Sequence, residues 1–296
     1  MPTPSPIFIA VGQHGQRLTS VDGIEWKNLQ LGKEGETFRA VAFGNGRFVA
    51  VGSYGGNNIV AATTDGVAWQ QASKDAKYVA YIRGLTFGNK LFVGLGGDPG
   101  SVGDSKPFVT TSTDGLNWSE NLSMPGRHIL RRAAFGNGRY VKVGDRGRRT
   151  VSTDLKTWTD APNVKAIDTL VDIAFGTPGN QPTFVGVGLH GLRMHSSDGL
   201  KWSAPQRGEE GEHLNAVVWT EKQFVAVGMG ATYFSADGVT WQREKNHDAP
   251  LSITFGQGVF VGSNWKGRLM RSTDGVQWMQ AHKCEHHVEA IAFGSV

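Results

Sequence analysis

Residues 39–72 read RAVAFGNGRFVAVGSYGGNNIVAATTDGVAWQQA. In RAVAFG (39–44) and RFVAVG (47–52) the apolar residues recur with a period of two, which belongs to a strand and not to a helix. Asn45-Gly46 between them is the pair best suited to a two-residue hairpin turn. NIVAATT (58–64) is a third run, Asp65-Gly66 turns the chain again, and VAWQQA (67–72) makes a fourth. Four short antiparallel strands with no helical segment describe one blade of a propeller.

The same unit recurs along the whole chain. SVDGIEW (20–26), TTDGVAW (63–69), STDGLNW (112–118), STDLKTW (152–158), SSDGLKW (196–202), SADGVTW (235–241) and STDGVQW (272–278) align without gaps. Their aspartates lie 37 to 49 residues apart and 42 on average, so seven units account for nearly all 296 residues. The expected fold is all-β: one seven-bladed β-propeller domain over 1–296, with four-stranded antiparallel blades. IFIAVG (7–12) reads as a second strand with no first strand before it, and EAIAFGSV (289–296) as a first strand with nothing after it. Joined, they match AVAFGNG–RFVAVG in register. The C-terminal strand is therefore expected to complete the first blade and close the ring, leaving no unpaired inner edge.

The repeated turn explains its own residues. A Ser or Thr two places before the Asp, and the Asp carboxylate, can both accept backbone N–H bonds in a tight turn, and Gly tolerates the positive φ required there. The Trp four places after the Asp covers the hairpin. Seven carboxylates and seven of the nine tryptophans are thereby assigned to the blade and not to a site, leaving Trp219 and Trp265.

Composition excludes several classes of function. Forty-one glycines, about twice the usual ~7% share, suit many tight turns. No apolar run of about 18 residues is present to span a bilayer. MPTPSPIFIAVG lacks the basic and apolar regions of a signal peptide, which leaves a cytoplasmic protein or a secreted one after trimming. The single Cys284 excludes an internal disulfide. A net charge of +4 with scattered Lys and Arg argues against a nucleic-acid partner.

The seven motifs, and the likeness of the whole chain, resemble the Asp-box (BNR-repeat) propellers of the sialidase-like superfamily. Two departures stand out: the usual Asp box has one more residue between Asp and Trp, and Asp154 is followed by Leu155 instead of Gly. The resemblance implies the fold. It leaves activity open among sialidases, glycanases, polysaccharide lyases, lectin-like binders and photosystem II assembly factors.

In a propeller the first strands line a central channel. The loops between second and third strands share one face with the connections between blades, and this face is where the sequence varies most. The first-strand residue four before the Phe is Glu289, Arg39, Arg83, Arg131, Val171, Asn215 and Leu251 around the ring, with Trp219 in the Phe place of one blade. Three adjacent arginines, with Arg132 beside the third and Lys33, Lys77 and Arg127 in the connections, suit a carboxylate or phosphate, which guanidinium groups grip bidentately. The plain alternative is that the arginines pair with Glu289, Glu36 or Asp75, or are merely solvated. Sialidases hold their substrate carboxylate with three arginines too, but the match is in number alone, and the family's Arg-Ile-Pro is missing.

The loops present His14, Tyr54, Arg146, His190 and Trp265 at corresponding places, and the longest predicted loop is GLGGDPGSVGDSKP (94–107). Arginines with His14 or Tyr54 would be the parts of a uronate lyase. Asp98, Asp104, Asp145, Asp172 and Glu289 are the carboxylates open to a glycosidase, which needs two. HKCEHH (282–287) is the one soft-ligand cluster, and its spacing matches no known zinc site, so no metal and no cofactor is expected. The reading favoured is a recognition propeller for an anionic small molecule, glycan or protein segment, with no nucleic acid and no membrane span. The alternatives are a carbohydrate-active enzyme at the same mouth and a protein-assembly scaffold.

Overall fold

A computed structural model describes residues 5–72, 82–98, 106–127, 130 and 132–296. Seven antiparallel sheets form a ring. The second blade runs outward from Thr37–Gly44 through Arg47–Tyr54 and Asn57–Thr63 to Gln70–Gln71. The remaining inner strands are Ile82–Gly88, Arg132–Gly136, Leu170–Gly176, His213–Trp219 and Ser252–Gly256. The first blade is built from both ends of the chain: Val288–Ser295 pairs with Pro6–Gly12, in a register that sets Phe8 opposite Phe293 and Ile9 opposite Ala292. The ring closes as the sequence predicts. In the fifth blade the outermost strand shrinks to one bridge, Arg193 with Gln206, and a bond from the Ser203 N–H to His195 O at 2.9 Å.

Each second strand is sandwiched between neighbouring blades and buried on both faces; Phe48, Val49, Ala50 and Val51 have no exposure at all. Seven aromatic pairs, one per blade, have ring centroids 4.6 to 4.9 Å apart. Trp219 takes the Phe place in the sixth of these. The glycine after the Phe has a packing reason: a Cβ at Gly44 would lie 2.2 Å from the Phe87 ring of the next blade, and one at Gly88 2.2 Å from Phe135.

The Asp-Gly turns have the bonding expected of them. At Asp114, the Gly115 N–H donates to Ser112 Oγ at 2.8 Å, and the Leu116 and Asn117 N–H groups donate to Asp114 Oδ1 at 2.9 and 2.8 Å. The indole Nε1–H of Trp118 donates to Gly115 O. In Asp114, Asp65, Asp198, Asp237 and Asp274 burial pulls the carboxyl up, but the N–H bonds outweigh it and hold it below the usual range. In Asp22 and Asp154 the N–H bonds come first, and they bring Asp154 to about 2. Leu155 adopts the left-handed conformation, φ 64°, that glycine takes in the other six turns. That costs about 1–2 kcal/mol. Burial of its side chain against Val93 and Leu95 of the third blade offsets the cost.

Cations are buried on the turn tryptophans between blades. Arg17 lies 5.6 Å over Trp69, Arg149 5.3 Å over Trp202, and Arg193 3.8 Å over Tyr233 and 6.0 Å over Trp241. Lys142 serves the third junction from the other side, 5.4 Å over Trp158. It is fully buried, and its Nζ donates to Met124 Sδ at 3.0 Å. Burial first, and the Arg148 charge second, push its pKa down to about 7.

Candidate functional site at the channel mouth

The inner strands do not run straight to the mouth. In the second blade the register shifts between Phe38 and Ala40, so Arg39 is a bulged residue with no partner opposite it. The same shift isolates Arg83, Val171, Asn215 and Glu289. A bulge re-aims a side chain, and here it falls at the position four before the Phe in five blades. In the seventh the Leu251 N–H instead bonds Ser263 O at 2.8 Å. The bulge crowds the neighbouring strand. A Cβ at Gly52 would lie 1.9 Å from Thr37 O, at Gly12 2.0 Å from His287 O, at Gly188 2.1 Å from Thr169 O and at Gly228 1.9 Å from His213 O. In these four blades the glycine ending AVG or GVG is therefore the sequence signal for the bulge, one that the strand pattern alone does not disclose.

Four of these bulges open onto a cavity of about 300 Å³ lined by Arg39, Arg83, Arg132, Asp145 and Glu289, with Thr169 and Val171 beside them. Arg131, Lys77, Asp75 and Asp104 lie outside the described residues. Arg39 is exposed and, among the described residues, has no ion-pair or hydrogen-bond partner. Glu36, considered as its mate, is buried elsewhere: its Oε2 accepts the Lys33 N–H at 3.0 Å and its charge faces Arg17. Arg132 lies 3.6 Å from Asp172, whose other oxygen accepts the Val217 N–H at 2.9 Å. Burial lifts the Asp172 carboxyl above the usual range, with Arg132 pulling the other way. Asp145 and Asp172 thus temper the arginines from a loop and from a residue one past the bulge. The ring position alone supplies only Glu289.

The loop residues lie away from this cavity. The ring of His14 stacks on His286 at 3.9 Å. Lys33 Nζ sits 5.8 Å over the Tyr54 ring. Arg146 is exposed with φ 55°. The His190 N–H donates to His213 Nδ1 at 3.1 Å, and Trp265 stacks on His287 at 5.6 Å. None of the five lines the cavity, so His14 and Tyr54 are not brought beside the arginines. Strands take part of the predicted long loop: Leu91–Asp98 and Lys106–Ser112 pair up to Asp98 opposite Lys106. Cys284 is buried, its thiol pushed up to about 11 by burial, and among the described residues no three His, Cys, Asp or Glu side chains gather for a metal ion. No described helix is long and apolar enough to cross a membrane.

The architecture defines a seven-bladed propeller, and solved structures agree. YCF48 bound to D1 peptide superposes with a TM-score of 0.61 at 19% identity, over 88% of this chain and 89% of that one. Catalytically inactive virginiamycin B lyase from Staphylococcus aureus with quinupristin gives 0.68 at 10% identity, over 88% and 92%. The WD40 propeller domain of Doa1 gives 0.61 at 11%, over 97% and 89%. Likeness at such identities is likeness of fold. No protein-family model and no curated protein matches the sequence.

Proposed function

We propose that this chain is a recognition propeller that takes a carboxylate-bearing ligand at its channel mouth. The observation that carries the reading is the convergence of Arg39, Arg83 and Arg132 on one cavity, two of them from bulges at the same strand position. Guanidinium groups match carboxylates in geometry as well as charge. A protein of similar fold holds a polypeptide: YCF48 is bound to a D1 peptide. The test is fluorescence polarisation with a labelled pentaglutamate peptide and an oligogalacturonate, both of which present carboxylates. Binding should weaken about tenfold in Arg39→Ala, a loss of roughly 1.4 kcal/mol, and fall as salt rises because screening acts on charge. An Arg39→Ala protein that melts and binds like the parent sinks the proposal.

A second reading draws on the sialidase-like resemblance. Asp145 and Glu289 share the cavity with the arginines, and two carboxylates are what glycoside hydrolysis requires. New reducing ends from a sialoside or uronate, lost in Glu289→Gln, would replace recognition by catalysis.

A further inference from the structure

The same face carries a second row of exposed side chains, and three consecutive ones are large and apolar. In each of the six described loops between second and third strands, one residue immediately precedes the turn residue with positive φ. These residues are Gln13, Tyr54, Asp145, Leu189, Met229 and Trp265. Leu189, Met229 and Trp265 belong to consecutive blades, the fifth to the seventh, and are 42%, 57% and 64% exposed. At the bulge position those blades carry Val171, Asn215 and Leu251, with no cation among them. The face thus carries arginines on the second to fourth blades and, on the fifth to seventh, an arc of three large apolar side chains set among the exposed Glu209, Glu210 and Lys266.

The arc is held in place. Leu189 bridges to His213, and His213 pairs across the inner hairpin with Met229, so the three form one row over two blades. His213 is pinned by the His190 N–H on its Nδ1. The Trp265 indole stacks on His287 at an interplanar angle of 16°, and the Trp265 backbone N–H donates to Asn264 Oδ1 at 2.7 Å. Large apolar side chains fixed before binding lose little entropy when covered.

We infer that the occupant of this face is a protein segment that sets a carboxylate in the arginine cavity and large apolar side chains on the Leu189–Met229–Trp265 arc. The inference rests on the channel mouth being a carboxylate site, because the charge there fixes one end of the partner. A polyuronate would satisfy the arginines but would bring hydroxyl groups onto Leu189 and Met229, which offer them no hydrogen bond. A polypeptide supplies both kinds of group within a few residues.

The test uses two labelled peptides: an acidic stretch joined through Gly-Ser to Leu-Phe-Leu, and its twin with Ser in place of the three apolar residues. The wild-type chain should bind the first about tenfold tighter than the second, and the Leu189→Ser/Met229→Ser double variant should lose that preference while keeping its affinity for the twin. Both substitutions are at exposed positions, and a melting curve checks the fold. A double variant that keeps the preference, or a wild type that shows none, overturns the inference and leaves the carboxylate site standing. A uronate hexamer bound tighter than either peptide, and equally by both proteins, overturns it in favour of a glycan. Sedimentation supplies the last arm: a dimer of the wild type that the double variant lacks and peptide does not dissociate assigns the arc to a second copy. Failure of the wild type to bind any acidic probe removes the carboxylate reading itself, and that arm does not involve the arc.

Discussion

QLGKEGETF (30–38) connects the first blade to the second, and QRGEEGEHL (206–214) connects the fifth to the sixth, over closely similar bonding. The Gly32 N–H bonds His14 O at 2.8 Å where the Gly208 N–H bonds His190 O at 3.0 Å. Glu36 and Glu212 each accept the N–H three residues back at 3.0 Å, and Arg17 and Arg193 each lie on the next blade's Trp. Above this shared base the surfaces part. The cross-strand row is Gln13, Thr37, Ser53 at one junction and Leu189, His213, Met229 at the other. The residue that bulges into the channel is Arg39 at one and Asn215 at the other. The junction is fixed by packing and buried bonds, so the outward side chains are free to take opposite characters. The fifth junction carries more bonds: Glu212 also accepts from Tyr233 OH at 2.6 Å and from Arg243 at 2.6 and 2.8 Å, and Arg193 donates to Gly191 O and Arg207 O.

The harshest way to break this comparison is to remove the ring that holds both junctions in register. A chain lacking 288–296 should expose the Pro6–Gly12 edge and lose its cooperative unfolding transition; calorimetry that shows an unchanged melt contradicts the closure. Next comes the difference in bonding. Glu212→Ala strands the Tyr233 hydroxyl and leaves Arg243 with Glu209 alone, and should cost about 2 kcal/mol, while Glu36→Ala should cost about 1 kcal/mol. Equal losses in urea unfolding would mean that the extra bonds at the fifth junction contribute nothing.

Asp114→Ala should cost about 1–3 kcal/mol by orphaning turn N–H groups, with acidic-peptide affinity unchanged. The seven turn aspartates also set an acid limit. Their folded pKa values lie below the unfolded value of about 3.9, so the stability they contribute is complete above that pH and is lost as pH falls toward 2. The smallest effect sharpens the comparison by adding a third junction. Lys142 has a folded pKa of about 7 against about 10.4 unfolded, so wild-type stability should climb between pH 7 and pH 10. Lys142→Met should raise stability at neutral pH by about 1 kcal/mol and flatten that climb. Thermal melts across the range would show whether it does.

Most of the scaffold is legible in the sequence because each of its devices is local and repeated. Asn45-Gly46, the Asp114 turn and the register of Phe8 on Phe293 all follow from residue order and a period of two. Three things do not. Lys142 sits in a second strand buried on both faces, where period two no longer separates inside from outside, so an alternating YVKV gives no warning of a buried lysine. The bulge at Arg39 depends on a contact between Gly52 and Thr37 that strand patterning does not encode, although the recurring AVG records it. Asp145 is one of five carboxylates the sequence offers for the mouth, but which of the five line the cavity is decided by loop conformation, here with the left-handed Arg146 beside it.

The first blade also imposes a timetable. Pro6–Gly12 leaves the ribosome about 280 residues ahead of its inner partner, Val288–Ser295. At about 5–20 residues per second the early strand waits on the order of tens of seconds. All that time it presents Ile7, Ile9 and Val11 on an unpaired edge, the kind of segment that recruits chaperones or sticks to its neighbours. The other six blades are local and can form in order of synthesis, whereas the first needs a contact between strands about 280 residues apart, and such contacts are slow. The slowest folding phase should therefore report the burial of Phe8 against Phe293.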